Sequence, residues 1–227
     1  MAGVLYVVGS PIGNLGDLSY RAVKILSSVD LIAAEDTRVT SILLKKYSIY
    51  KKCISYHDRN ENSKFKKLIE FIKEGNNIAL ISDAGTPCLS DPGYRVINAA
   101  RKDNLNVISI PGPSSITAAL SISGLPTDHF YFEGFLPRKK GRKTRMEFLS
   151  SLECSIVMFE SPNRIIKTLS DIMQYFGNRA ISICREITKV YEENYFGYIN
   201  DIINGIEDVK IKGEFVIIIS KDGYQID

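Results

Sequence analysis

Apolar positions along this chain follow two rhythms. Short runs bounded by Gly, Pro, Asn and Asp fall at 4–8, 31–34, 53–56, 78–81 and 107–110, then at 130–135, 156–159, 180–184, 192–198 and 214–220; these predict strands. Longer segments with helical spacing lie between them, at 20–28, 62–74, 143–152 and 164–176, with an Ala/Ser/Ile helix from the end of Pro111-Gly112-Pro113 to about 123. In 62–74, Phe65, Leu68, Ile69 and Ile72 share one face, and Lys64, Lys66, Lys67 and Glu70 the other, which reads as a solvated face. Strands alternating with helices predict an α/β protein. The break Gly124-Leu125-Pro126-Thr127-Asp128 divides it into an N-terminal α/β domain, 1–123, and a C-terminal α/β domain, 124–227. The second sheet is expected to be mixed, because 192–198 follows 180–184 with no room for a crossover helix.

Composition narrows the class. The 227 residues are 44% hydrophobic and 24% charged with a net charge of +3, an ordinary globular balance that excludes an acidic tail or a histone-like polycation. No apolar run exceeds five residues, far short of the roughly 20 that span a bilayer, and Phe215–Ile219 reads as a central strand. No basic region precedes the apolar start, so no signal peptide and no membrane partner are expected, and the cytoplasm is the expected location. Cys53, Cys88, Cys154 and Cys184 form no CxxC pair and have only His57 and His129 as co-ligands, so they read as buried free thiols and no metal site is expected.

Chemistry concentrates in loops at predicted strand ends. Gly9, Gly13 and Gly16 follow the first strand but do not make GxGxxG, and no Gly-Lys-Ser/Thr occurs, which disfavours a dinucleotide or NTP-hydrolysing enzyme. The loop 82–93, with two Pro, two Gly and two Asp, is longer than a turn requires. It reads as a binding loop, against the plainer alternative of a helix entry capped by Ser90 or Asp91. A third loop, Pro111-Gly112-Pro113-Ser114-Ser115, precedes a helix whose free N–H groups suit a polar or anionic ligand. Three such loops imply one shared cleft.

The segments Tyr6-Val7-Val8-Gly9-Ser10-Pro11-Ile12-Gly13-Asn14-Leu15-Gly16-Asp17, Ala34-Glu35-Asp36-Thr37-Arg38, His57-Asp58, Ser82-Asp83-Ala84-Gly85-Thr86-Pro87, Ser90-Asp91-Pro92-Gly93-Tyr94, Pro111-Gly112-Pro113, Glu133-Gly134-Phe135-Leu136-Pro137, Arg185-Glu186-Ile187-Thr188-Lys189 and Lys212-Gly213-Glu214 closely resemble the ribosomal RNA small-subunit methyltransferase I family of the tetrapyrrole-methylase-like superfamily. The resemblance runs from about residue 4 to 220. It implies two α/β domains of tetrapyrrole methylase type with the cofactor S-adenosyl-L-methionine in the cleft between them. The implied reaction is 2′-O-methylation of a cytidine ribose in the decoding region of small-subunit (16S) ribosomal RNA. It also implies a homodimer, with the RNA or the assembled small subunit as partner. Carried over by motif, the cofactor contacts are Pro11, Ile12, Ala84, Gly85, Thr86, Leu89, Ser114 and Ser115, with Phe159, Glu160 and Glu186 from the second domain.

Three departures accompany the resemblance. The wider superfamily commonly has Gly-Asp-Pro where this chain has Gly85-Thr86-Pro87; any carboxylate needed there falls to Asp83 or Asp91. Asn163 stands where a histidine usually precedes Arg164. Many members extend beyond the Lys-Gly-Glu strand, whereas this chain stops at Asp227, so RNA contacts made by such an extension are expected to be missing.

A ribose hydroxyl is a weak acid, so methyl transfer to it calls for a base or a nearby positive charge. Asp36, His57 and Glu186 are the candidate bases. Arg38, Arg185 and Lys189 are candidates for positioning phosphate or polarising the hydroxyl, with an ion pair or cap as the alternative for each. Arg138, Lys139, Lys140, Arg142, Lys143 and Arg145 put six positive charges and no acid within 138–145, directly after Phe130-Tyr131-Phe132 and Phe135, an arrangement suited to phosphates and an unstacked base. Without these six, 23 basic residues face 26 acidic ones, a balance of −3. Two other readings stay open: a same-fold methyltransferase acting on a corrinoid precursor or a protein side chain, and a non-catalytic RNA-binding module.

Overall fold

In the computed structural model, which describes residues 1–205 and 211–226, the chain divides into two compact units, Met1–Ser114 and Ser115–Asp227. The division falls earlier than the break expected at 123/124, because the helix after Pro113 packs against a strand of the second unit.

The first unit holds β1 (Val4–Val8), α1 (Tyr20–Ser28), β2 (Leu31–Ala34), α2 (Thr37–Lys46), β3 (Cys53–Ser55), α3 (Glu61–Lys73), β4 (Ile78–Ile81), α4 (Tyr94–Lys102) and β5 (Asn106–Ile110). Its sheet is wholly parallel in the order β3-β2-β4-β1-β5. Each crossover carries a helix, so both faces are covered and the inner strands are apolar throughout: β2 and β4 are buried at every position. On one face Val8, Ile32, Ala34, Ala79 and Ile81 meet Ala22 and Leu26 of α1 and Leu43 and Leu44 of α2. On the other, Leu5, Leu31, Ala33, Ile78 and Leu80 meet Leu68, Ile69 and Ile72 of α3 and Val96 and Ala100 of α4. The hydrophobic spacing assigns no helix to α2 or α4. α2 leaves Val39 and Ile42 exposed, which blurs its apolar face, and the apolar face of α4 is short, made of Val96, Ile97, Ala99 and Ala100 alone.

The second unit holds α5 (Ser115–Ile122), β6 (Phe130–Phe135), α6 (Arg142–Ser150), β7 (Ser155–Glu160), α7 (Ile165–Phe176), β8 (Ala180–Arg185), β9 (Glu193–Tyr198), α8 (Ile199–Asn204) and β10 (Phe215–Ile219). The strand order is β6-β7-β10-β8-β9, with β6 parallel to β7 and every other pair antiparallel, so the sheet is mixed. β10 lies at its centre and is buried at all five positions. Ile156, Met158, Ile181, Ile183, Ile217 and Ile219 pack with Met146, Leu149, Ile165, Leu169 and Ile172 of α6 and α7. The four cysteines are free; only Cys184 is fully buried and the other three are half-buried, a correction to the expectation of buried thiols. Burial pushes the thiols of Cys88 and Cys184 up to about 11, which leaves them unreactive at neutral pH.

Candidate active site

β1 and β4 are neighbours, but their connections leave in opposite directions, β1 towards β2 and β4 towards β5. In an open parallel sheet such a reversal opens a crevice at the carboxyl ends of the strands. The loops 9–17, 82–93 and 111–114 all start there, from β1, β4 and β5, three strands adjacent in the sheet.

The loops are fastened to one another. The Ser10 N–H donates to the Gly85 carbonyl at 2.8 Å and the Gly85 N–H to the Ser10 carbonyl at 3.2 Å. The buried Ser10 hydroxyl donates to the carbonyls of Ser82 at 3.1 Å and Gly85 at 3.2 Å. Gly9 and Gly112 lie backbone to backbone. A Cβ on Gly9 would come within 2.8 Å of Gly112 Cα, and one on Gly112 within 2.7 Å of the Gly9 carbonyl oxygen, so both loops depend on glycine there. Pro11 and Ile12 are buried behind this junction, whereas Ala84 and Leu89 are exposed and Thr86, Ser114 and Ser115 half-buried. Cys88 and Ser90 hold left-handed φ values of 75° and 66°, which marks 82–93 as a loop of constrained shape. It is not a capped helix entry: α4 starts after Gly93 with no side-chain cap from Ser90 or Asp91.

Carboxylates from β2 and β4 interlock at the same edge. Glu35 accepts the Asp83 N–H at 3.2 Å, and Asp83 accepts the Asp36 N–H at 3.0 Å. Burial raises the Glu35 and Asp83 carboxyls above their ordinary values. Asp91 is pushed up to about 6, by burial first and then by the negative charge of Glu35, against a hydrogen bond from Ser82. It is the carboxyl here that changes charge closest to neutral pH. The sequence reading weighed Asp91 only as a cap or a cofactor carboxylate; the signal it offered was its place in a long loop beside Glu35 and Asp83, which only the fold brings together.

The residues expected to do acid–base work are held otherwise. Asp36 caps α2 by accepting the Arg38 N–H at 2.8 Å and pairs with the Arg38 guanidinium at 2.6 Å, which brings its carboxyl down to about 2. A carboxylate that acidic is a poor base. Asn60 lies 2.9 Å from His57 Nε2, and Nδ1 is buried without a partner, so neither ring nitrogen faces solvent. Glu186 accepts Lys189 Nζ at 2.8 Å and the Glu214 N–H at 2.9 Å. Burial pulls its carboxyl up, but Lys189, the Glu214 N–H and Arg185 together outweigh this and hold it below the ordinary value. The turn at Gly213 closes on Glu186, and a Cβ there would fall 2.5 Å from Glu186 Cγ. Arg185 is 5% exposed and donates to the carbonyls of Lys212 and Tyr191 and to Glu193. Arg185, Glu186 and Lys189 thus tie the end of β8 to the turn that starts β10.

Glu160 is spent in the same way. Its Oε1 takes the Ser161 N–H at 2.7 Å and Arg164 Nε at 2.6 Å, and its Oε2 takes the Thr168 hydroxyl at 2.6 Å. Both oxygens are engaged within the unit and the side chain has no solvent exposure. Phe159 sits in an aromatic cluster, edge-on to Phe132 at 5.1 Å and tilted on Phe135 at 5.5 Å.

The basic segment separates into two kinds of residue. Arg142, 7% exposed, donates to Asp171 at 2.7 Å, Thr168 at 2.8 Å and the Pro137 carbonyl at 3.2 Å. Arg145 is paired with Glu133 and the Tyr131 hydroxyl and lies over the Phe148 ring at 4.7 Å. Arg142 has all three guanidinium nitrogens engaged and is withdrawn from the RNA-contact set, whereas Arg145 is held, among the described residues, through Nε and Nη2 alone and keeps a side chain 34% exposed. Arg138, Lys139, Lys140 and Lys143 are exposed, as are Phe130 and Phe135.

Comparison with known proteins gives the family and the fold. The family model for tetrapyrrole (corrin/porphyrin) methylases matches residues 4–202. A protein of Halalkalibacterium halodurans named ribosomal RNA small subunit methyltransferase I is 45% identical over 99% of this chain and 78% of its own length. A protein of the same name from Thermotoga maritima is 44% identical over 96% of this chain and 98% of its own. Among solved structures, diphthine synthase aligns with a TM-score of 0.75 at 12% identity over 96% of this chain and 90% of its own, and cobalt precorrin-4 methyltransferase with 0.70 at 15% over 96% and 94%. The chain belongs to the tetrapyrrole (corrin/porphyrin) methylase family, among its ribosomal RNA small subunit methyltransferase I members.

Proposed function

We propose that the chain transfers a methyl group from S-adenosyl-L-methionine to small-subunit ribosomal RNA, at the 2′-oxygen of a cytidine ribose in the decoding region. The observation that carries this reading is identity of 44–45% along nearly the whole chain to two proteins named for that RNA. The residues at the crevice fit such a cofactor: the glycine junction lets backbone approach closely, and exposed Ala84 and Leu89 offer an apolar wall beside the polar loop backbone. Pro11, Ile12, Gly85, Thr86 and the Ser114–Ser115 turn would hold it, with backbone rather than carboxylate contacts at Thr86.

The cofactor supplies a methyl already activated on a sulfonium. The task of the chain is alignment, worth about 7–11 kcal/mol in favourable intramolecular cases, and removal of the hydroxyl proton. As the 2′-oxygen bonds to the methyl carbon and the sulfur–carbon bond breaks, the proton passes to a base. Asp91 fits that task best, since it is ionised just above its value of about 6 and is basic enough to accept a proton. Arg138, Lys139, Lys140 and Lys143 would meet RNA phosphates, and exposed Phe130 and Phe135 an unstacked base. We assign the chain to the cytoplasm, where ribosomes are assembled, consistent with no helix among the described residues being long and apolar enough to cross a membrane. A homodimer is the assembly the family resemblance favours, and sedimentation tests it.

The deciding experiment supplies labelled cofactor to undermethylated small subunits, to naked small-subunit RNA and to unrelated RNA, and maps the product nucleotide. Label on a cytidine ribose of the decoding region is the expected result. Label on protein or a corrinoid, or none with any RNA, defeats the reading.

A further inference from the structure

The longest stretch of the amino-terminal half without an acid is 37–57, which carries Arg38, Lys45, Lys46, Lys51 and Lys52. It comprises α2, the turn after it and the edge strand β3. Arg38, Ile42 and Lys45 recur at helical spacing on the exposed side of α2; Arg38 is paired with Asp36, so the unpaired positive charge starts at Lys45 and continues into Lys46 and the turn. Lys45, Lys46 and Lys52 are exposed and Lys51 half-exposed, and among the described residues none of the four has a carboxylate partner. The turn itself is rigid. The Tyr47 hydroxyl donates to the Leu15 carbonyl at 2.5 Å, and Ile49 is buried at 6% exposure. Tyr50 between them and the lysines is 89% exposed, and Ile42 63%.

α3 shows what a merely solvated basic face looks like in this protein. Its lysines are flanked by Glu61, Glu70 and the capping Glu74, and Lys73 is paired with both Glu70 and Asp103. Beyond the Arg38–Asp36 pair at its start, the surface of α2 and the following turn has the opposite character: no acid, unpaired ammonium groups, and an aromatic ring and an aliphatic side chain left in solvent beside them. Unpaired lysines around an exposed aromatic ring match the phosphates and unpaired bases of RNA, which attract by counterion release and stacking.

We propose that the exposed face of α2 and the 47–52 turn form a phosphate-contacting surface for the RNA substrate, separate from the 138–145 segment. This rests on the reading that the substrate is ribosomal RNA. Lys45, Lys46, Lys51 and Lys52 meet backbone phosphates and Tyr50 stacks on an unpaired base. The four lysines lie at the end of α2 and of β3 away from the carboxyl-end loops, so the surface governs RNA affinity and leaves the methyl-transfer step alone.

The test uses the full chain with Lys45→Gln, Lys46→Gln, Lys51→Gln and Lys52→Gln combined, the two pairs separately in case the combination does not fold, and Lys66→Gln with Lys67→Gln on α3 as the control. Binding of small-subunit RNA is followed from about 50 to 200 mM salt, alongside calorimetric titration with S-adenosyl-L-methionine. The expected result is a salt slope shallower by about 2–3, affinity near physiological salt lower by about tenfold or more, and unchanged cofactor binding and kcat, with the control like wild type. An unchanged slope, or an equal loss in the control, overturns the proposal. If the wild-type chain binds this RNA but transfers no methyl to it, and the variant still loses the slope, the surface stands and the proposed reaction falls. If the wild-type chain does not bind the RNA at all, both fall.

Discussion

Asp91 and Arg142 are both charged residues in polar stretches of sequence, and the fold assigns them opposite fates. Asp91 sits where ionisation is costly. Its folded value of about 6 lies above the unfolded 3.8, so between those values the folded chain holds more protons than the unfolded one. The stabilising effect of the protonated group is complete below about pH 4 and is lost as pH rises through 6. Asp91→Asn should therefore make the protein more stable at pH 7–8, by about 1 kcal/mol once solvent screening is allowed for, and flatten its stability between pH 4 and 7; urea titrations at several pH values measure this. The same substitution should lower kcat by about 10²–10⁴-fold if Asp91 takes the proton, and abolish the acid limb of the pH profile, with cofactor binding retained. Arg142 is the reverse case. Arg142→Ala takes a donor from the buried Thr168 and from the half-buried Asp171, which among the described residues keeps only Lys167 at 3.7 Å, and should cost about 3 kcal/mol, seen as a large fall in Tm, whereas Lys139→Gln should stay within about 0.5 kcal/mol. Both differences were invisible in the sequence, where six basic residues read as one patch. Helical spacing turns Arg142 and Arg145 inward, and nothing in the local composition records that Asp171 and Glu133 await them.

At the scale of elements, the legible part was whatever a strand or helix does by itself. β1, β2, β4, β6 and α1 stand where the apolar rhythm puts them, because each buries a face whose period is set by its own backbone. α2 escaped because its exposed side keeps Val39 and Ile42, and α4 because its apolar face is only four residues, Val96, Ile97, Ala99 and Ala100. The local partners of the candidate bases were equally hard to read. Asp36, His57 and Glu186 do stand at strand ends, but their partners Arg38, Asn60 and Lys189 lie only two or three residues away and close local ion pairs, caps and hydrogen bonds first. The loop junction was legible as glycines and prolines, yet its reason was not, since Gly9 and Gly112 are over a hundred positions apart. Gly9→Ala or Gly112→Ala should push the loops of β1 and β5 apart; we expect a cofactor affinity at least tenfold weaker by calorimetry, with the helical content by circular dichroism preserved.

For the whole molecule, the net charge of +3 conceals a separation of signs. The carboxyl edge of the first sheet gathers Glu35, Asp36, Asp83 and Asp91, while exposed basic groups collect on α2 and the following turn and at 138–143. Methyl transfer to RNA should therefore fall steeply as salt rises while cofactor binding barely changes; measuring kcat/KM for RNA against salt checks this, and a flat response would contradict RNA contact through either basic surface.

The order of strands carries a consequence for synthesis. β10, the middle strand of the second sheet, comes last in chain order among its described strands, and its neighbours β7 and β8 do not pair with each other. Until residues 215–219 emerge, the second unit consists of two separate ladders, β6-β7 and β8-β9, each with an open apolar edge. A nascent chain halted before that point is left adhesive and open to proteases and chaperones. Insertion of one five-residue strand joins the two ladders at once, so the second sheet closes only once residues 215–219 are available.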